Sequence, residues 1–345
     1  PERSLAETKT KQTLMQFLQE NTTLSIEDRG KWFYAVRKAD VGDRNVPVAF
    51  RADMDAVCAR DGQPGHYCGH DGHSSILAGL ALYLEKGKTG QDRDVYFIFQ
   101  PAEETGQGAK LCRPLIEEKK ISEIYGLHNI PGYPKNHILI KEGTFACAST
   151  GLEIHMTGTP SHAAYPEAGK NPGFALAKLL LEVEKLTEKV NETRGFVRMT
   201  LIGMEIGSDS YGVSASDGVL RLTVRGEREC IFEEYVAGIK DLAKERAKEE
   251  NLALAIREIE RFPATENHMD SVKKLRDCAA NQGLSVTELK EPMRWSEDFG
   301  YYLQKTEGAF FGIGDGEGHA QLHTEQYEFP DEIIETAVRM FGGLI

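Results

Sequence analysis

No stretch of the chain approaches the ~18 consecutive apolar residues of a membrane span, so the sequence offers no transmembrane helix. Runs of Lys or Arg are missing as well. With 54 Asp and Glu against 41 Lys and Arg, the net charge of −13 disfavours nucleic acid and anionic membrane as partners. Paired cysteine spacing is absent: Cys58, Cys68, Cys112, Cys147, Cys230 and Cys278 are scattered through a chain too large to need staples, which argues for reduced thiols in a reducing compartment. There is no internal repeat and no low-complexity linker. The chain opens at Pro1, which leaves room for a removed leader, and the cytoplasm is the default compartment. These absences leave a soluble enzyme or a small-molecule binder.

At 345 residues the chain exceeds the usual size of one core, so two domains are expected. Helical periodicity alternates with short β-rich runs, the signature of α/β layering. KWFYAVRKA, VPVAFRAD, DVYFIFQ and EIYGLHN read as strands, with GHSSILAGLALYLEK and AKLCRPLIEEKK as helices between them. The unbroken apolar run VYFIF implies a strand buried on both faces, hence a mostly parallel sheet. From about Gly151 the order becomes βαββαβ, a split βαβ sandwich of ferredoxin-like type, with Ile231, Tyr235, Ile239 and Leu242 on one face of its second helix. After Pro263 the first style resumes. The expected architecture is an α/β domain over 1–149 and 262–345, interrupted by a smaller domain over 150–261.

Residues 66 to 75, HYCGHDGHSS, place Cys68, His70 and His73 within six positions. Four other stretches match this cluster in kind. Asp53 and Asp55 follow an apolar strand in FRADMDA, Glu103 and Glu104 follow another in QPAEETGQGA, His128 lies in GLHN, and His323 in LHTEQYEF. Carboxyl ends of strands are where open α/β sheets bind ligands, so Cys68, His70, Glu104, His128 and His323 can converge on one site. Singly, each has a bland explanation as a small hydrophobe, a satisfied histidine or a solvated acid, and the remaining cysteines and His66, His137, His155, His268 and His319 keep it. Thiolate, imidazole and carboxylate together suit Zn²⁺, Mn²⁺, Co²⁺ or Ni²⁺ rather than Ca²⁺ or Mg²⁺. Five donors exceed what one tetrahedral ion needs, which favours two ions. Adjacent residues do not ordinarily both point at one ion, so Glu104 is the expected ligand and Glu103 the general base.

RADMDA, CGHDGH, FQPAEE, GLHN, TGTPSHAAYPEAGKNP, WSEDFGYYL and LHTEQYEF, in this order over nearly the whole chain, closely resemble the M20 metallopeptidase family. They are most similar to its amidohydrolase and carboxypeptidase branch. The resemblance implies a catalytic α/β domain with two divalent ions and an inserted lid domain that mediates dimerisation. It implies that Cys68, His70, Glu104, His128 and His323 are the metal ligands, Glu103 the base, and Asp53, Asp55 and Asp71 residues that orient the ligands. It also implies that His162, in SHAAYP, steadies the tetrahedral oxyanion, often in the partner's active site. Arg225 is the residue placed near the substrate carboxylate.

Two departures from the family pattern bear on substrate choice: the short CARDGQPGHY linker, and VSASDGVLRLTVRG where the family often carries an Asn-Val-Ile-Pro-Asp run. The expected function is a metal-dependent amidohydrolase that cleaves an N-acyl-amino acid or short peptide next to a free carboxylate. Two alternatives stand beside it. One is a nucleophilic Cys68 assisted by His70 or His73, which leaves the paired glutamates without a role. The other is a non-catalytic relative that binds an acyl amino acid or metal, for which Glu103 would be superfluous.

Overall fold

Alternating apolar segments build two units in the computed structural model, which describes residues 1–40, 46–59, 61–87 and 92–345. The first comprises Pro1–Phe145, Thr265–Pro292 and Glu297–Ile345. Its eight-stranded sheet runs in the order Ser25–Asp28, Phe33–Arg37, Val95–Gln100, Val48–Asp53, Glu123–Pro131, Glu307–Gly316, Ile138–Ile140, Val286–Glu288. The four central strands pair in parallel, while Phe33–Arg37 joins them antiparallel. All six residues of Val95–Gln100 are buried, as its continuous apolar run predicts for a strand covered on both sides. The helices His70–Lys86 and Ile334–Gly342 supply Ile76, Leu77, Leu80, Ala337 and Phe341 to the core on one face of this sheet, against Phe50, Phe97 and Phe311.

The sequence AKLCRPLIEEKK reads as one helix but folds as two short ones, Gly108–Cys112 and Pro114–Glu118. Pro114 has no N–H to donate and its ring crowds the preceding turn, so the helix restarts there.

The second unit comprises Ala146–Ala264 with Met293–Ser296. Its antiparallel sheet has the order Val197–Ile206, Asp217–Gly226, Ala148–Thr157, Ala253–Phe262. The helices Gly173–Thr193 and Glu229–Glu249 cover one face, where Leu152, Ile154, Leu220, Leu222 and Val224 meet Leu176, Leu179, Phe232 and Ile239. Strand residues between these point to the other, open face. The segment Met293–Ser296 joins this unit through Cys147 N–H, which donates to the carbonyls of Met293 and Trp295.

Candidate metal centre

Because Val48–Asp53, Val95–Gln100 and Glu123–Pro131 are parallel neighbours, their carboxyl ends share one edge of the first unit. Asp53 and Asp55, Glu103 and Glu104, and His128 follow or close these three strands. Cys68 and His70 come to the same edge because the helix His70–Lys86 begins there, after Gly69 at φ 91°. A Cβ on Gly69 would sit 2.5 Å from Asn129 Oδ1, so the turn between thiol and imidazole needs glycine for its backbone and for its close approach. His323 arrives from the far end of the chain, its N–H donating to the Tyr67 carbonyl at 2.7 Å. His323 (φ 63°) and Ala102 (φ 51°) are non-glycine residues held in the left-handed region. Such conformations cost on the order of 1 to 3 kcal/mol each and gather at functional sites.

The five donors meet. Cys68 Sγ lies 3.5 Å from His128 Nε2 and 3.2 Å from His323 Nε2. Glu104 Oε1 lies 3.6 Å from His70 Nε2 and 3.7 Å from His323 Nε2. Two triads result, Cys68–His70–His128 and Cys68–Glu104–His323, each with its donor atoms within 4.8 Å of one another, and they share the thiol. His70 Nδ1 faces the Asp55 carbonyl and carboxylate at 3.1 Å, and His128 Nδ1 faces the Asn129 carbonyl at 2.7 Å. A carbonyl only accepts, so both Nδ1 atoms carry hydrogen and both Nε2 lone pairs are turned inward. His70 Nε2 and Glu104 Oε1 are buried with no hydrogen-bond partner among the described residues. Orphaned inward-facing donors of this kind fit a divalent ion.

Electrostatics point the same way. Burial pushes the Cys68 thiol well up, and Glu104 adds to it. Burial lifts Glu104 to about 7, and raises Glu103 well above the usual carboxylate range with help from Glu297 and Glu104. Burial, His73 and His70 hold His128 well below the ordinary imidazole value. On His70 burial opposes charge, but Asp53 and Cys68 outweigh it and favour a second proton on Nε2, one that a bound cation would displace. Buried anions that resist ionising together are relieved by a cation among them. A thiol raised by burial is the opposite of an activated nucleophile, which weighs against the cysteine alternative.

Around the donors, Asp55 receives hydrogen bonds from Ser4 Oγ at 2.7 Å and the Glu104 N–H at 3.0 Å, besides facing His70. Asp53 accepts instead from His73 Nδ1 and from Arg51, at 2.7 and 2.8 Å. His73 Nε2 lies 2.6 Å from Asn129 Oδ1, so both its ring nitrogens are engaged and it braces the site from behind.

Asp71 corrects the sequence reading. It is exposed, its carboxylate lies 3.8 Å from His66, and it holds none of the five donors. One position along a helix is a rotation of about 100°, which turns Asp71 to solvent while His70 and His73 face inward.

Glu103 is buried and accepts the Asp298 N–H at 3.3 Å on Oε1. Behind it stands a network that the sequence reading did not single out. The Arg51 guanidinium, fully buried, binds Asp53, Glu297 and Asp298 at 2.8 Å and Gln100 at 2.9 Å. The available signal was an arginine inside an apolar strand, which has to find anions there.

The second unit carries the other two predicted residues. His162, exposed, pairs with Val213 in a two-stranded ribbon. Its Nδ1 accepts the Ala164 N–H at 3.0 Å, which leaves Nε2 as the hydrogen-bond donor of the neutral ring. Arg225 Nη1 donates to the Arg294 carbonyl at 3.1 Å and to Ser296 Oγ at 2.8 Å. Arg60 of the CARDGQPGHY linker lies outside the described residues.

Residues 49–345 match the model of peptidase family M20/M25/M40. The chain is 29% identical to an N-acetyldiaminopimelate deacetylase of Leuconostoc mesenteroides, over 97% of this chain and 90% of that one. To the N-acetyldiaminopimelate deacetylase of Bacillus subtilis it is 27% identical, over 99% and 94%. In structure it is similar to a dinuclear metal-binding M20 peptidase of Bacillus subtilis, with a TM-score of 0.82, 24% identity and coverage of 100% and 92%. An aminobenzoyl-glutamate utilization protein of Klebsiella pneumoniae matches with a TM-score of 0.75, 19% identity and coverage of 99% and 91%.

Proposed function

The chain belongs to peptidase family M20/M25/M40 and is a metal-dependent hydrolase of amide bonds, and on that premise we propose that it releases an amino acid with a free carboxylate from its N-acyl or short peptidyl amide. The observation that carries this reading is the pair of donor triads sharing Cys68, with Glu103 buried beside them.

Cys68, His70 and His128 would hold one divalent ion, and Cys68, Glu104 and His323 a second, drawn from Zn²⁺, Mn²⁺, Co²⁺ or Ni²⁺. Bound there, the ions would polarise the scissile carbonyl and acidify water. Glu103, steadied through one oxygen by the Asp298 N–H, takes the proton of the attacking water and delivers it to the leaving nitrogen as the C–N bond breaks. A protein that only bound acyl amino acids or metal would have no use for a general base such as Glu103.

The test is amine release from N-acetyl, N-benzoyl and dipeptide substrates, N-acetyldiaminopimelate among them, by protein loaded with each metal in turn. At least one class is expected to turn over. No hydrolysis of any by verifiably dinuclear protein would refute the reading.

We also infer a cytoplasmic homodimer. The six cysteines are all unpaired, which supports a reducing compartment. Among the described residues no helix is long and apolar enough to cross a membrane. The edge strand Val197–Ile206 leaves Leu201, Ile202 and Ile206 exposed by 48, 60 and 40%, an apolar edge suited to a second copy.

In that dimer His162 donates Nε2–H to the oxyanion of the partner's site. His162→Ala is expected to lower turnover by the 10²- to 10³-fold that loss of one oxyanion donor typically costs, with metal content unchanged. Mixed with Glu103→Ala protomers it should regain activity, because a heterodimer acting across the interface holds one intact site. Near-wild-type turnover of His162→Ala would make it an ordinary loop histidine. Inactive heterodimers, verified as formed, would confine its action to its own subunit.

A further inference from the structure

The open face of the second unit's sheet treats its arginines in two ways. Toward one end, Arg221 pairs with Glu153 and Glu205 at 3.3 and 2.7 Å, and Arg257 pairs with Glu153 at 3.4 Å. Toward the other end, Arg198 and Arg225 stand directly opposite each other on adjacent strands, and neither forms an ion pair with any described residue. Arg294 joins them, since its carbonyl accepts from Arg225 Nη1. The guanidinium carbons of Arg198 and Arg294 lie 6.0 and 5.8 Å from the centroid of the same ring, Phe196. Glu227, two positions beyond Arg225, makes an ion pair with none of the three.

Like charges facing each other across a strand pair destabilise a sheet, and here a third joins them. In a chain with 54 acidic residues, carboxylates are not in short supply, yet among the described residues none is recruited at this end. Phe196 holds two of the guanidiniums by cation–π contact, and Ser296 with the Arg294 carbonyl orients the third through Nη1 alone. Arg225 keeps its Nε and Nη2 hydrogens without an acceptor among the described residues. Planar forks preset in this way match carboxylates.

We propose that Arg198, Arg225 and Arg294 form a binding site for a small molecule bearing two carboxylates. Three guanidiniums carry more positive charge than one carboxylate neutralises, which favours a dianion over a monoanion. The dicarboxylate has two sources: the substrate itself, which would narrow the proposed hydrolase to acidic acyl amino acids and so rests on that reading, or a free diacid bound apart from turnover.

The probe is glutarate, with butyrate as the singly charged control, titrated calorimetrically into the metal-loaded protein and into the double variant Arg198→Gln/Arg294→Gln. Glutarate is expected to bind the wild type roughly 10-fold or more tightly than butyrate, and the double variant to lose that preference. Arg198→Lys/Arg294→Lys, which keeps the charge but not the fork, should fall between them. Thermal melting checks that the variants fold. If the substrate is the source, the Gln variant also raises KM for N-acetylglutamate roughly 10-fold, with kcat and the KM for N-acetylleucine held. If a free diacid is the source, glutarate affinity falls and both KM values stay. Equal glutarate affinity in wild type and Gln variant, or no preference over butyrate, overturns the proposal. The calorimetric result is independent of whether the protein hydrolyses anything, so failure of the site and failure of the hydrolase reading are separable.

Discussion

Cys68→Ala is expected to leave the protein with neither ion and with turnover reduced on the order of 10³-fold or more, because its sulfur belongs to both donor triads. Each triad would be left with two donors, and both remaining pairs are neutral or singly charged. His128→Ala or Glu104→Ala removes a donor from one triad only, so about one ion per chain should persist in each. Elemental analysis of the purified variants reads this directly. Dialysis of the wild type against a strong chelator should likewise abolish hydrolysis, with Mn²⁺, Zn²⁺, Co²⁺ or Ni²⁺ restoring it. Two ions per chain in Cys68→Ala would show that the thiol does not bridge. Full activity in a verified metal-free sample would instead return Cys68 to the role of nucleophile.

Glu103→Gln separates chemistry from metal binding. Gln keeps the shape and an oxygen to accept the Asp298 N–H, but has no basic site for the proton of the attacking water. Turnover should fall roughly 10²- to 10⁴-fold while metal stoichiometry stays at the wild-type level and KM changes little. A parallel loss of metal would exchange the assigned roles of Glu103 and Glu104.

Much of this centre was legible because its donors sit where strands stop. The apolar runs VPVAF and VYFIF mark buried strands, and the polar residues just beyond them have nowhere to be but at the sheet's carboxyl edge. Periodicity likewise marked the helix His70–Lys86, but it did not say which side of its first turn faces the site, and Asp71 was misread through adjacency to His70. The Arg51 network was hidden for a different reason: Glu297 lies 246 positions from Arg51, and no local pattern joins them. Met293–Ser296 is similar, since its place in the second unit depends on backbone bonds to Cys147 that side-chain chemistry does not encode. The break at Pro114 was readable, and an apolar pattern running through it masked the proline.

The contact between Cys68 and His323 spans 255 positions. At ribosomal elongation rates of about 5 to 20 residues per second, the thiol common to both donor triads emerges roughly 10 to 50 s before the imidazole that completes the second of them. During that interval the nascent chain can offer Cys68, His70, His128 and Glu104 but lacks His323, whereas the second unit's sheet already has all four of its strands once Phe262 is made. Synthesis thus orders assembly: the interrupting unit can fold while the chain is still growing, and the second triad becomes available only after its release of His323 from the ribosome.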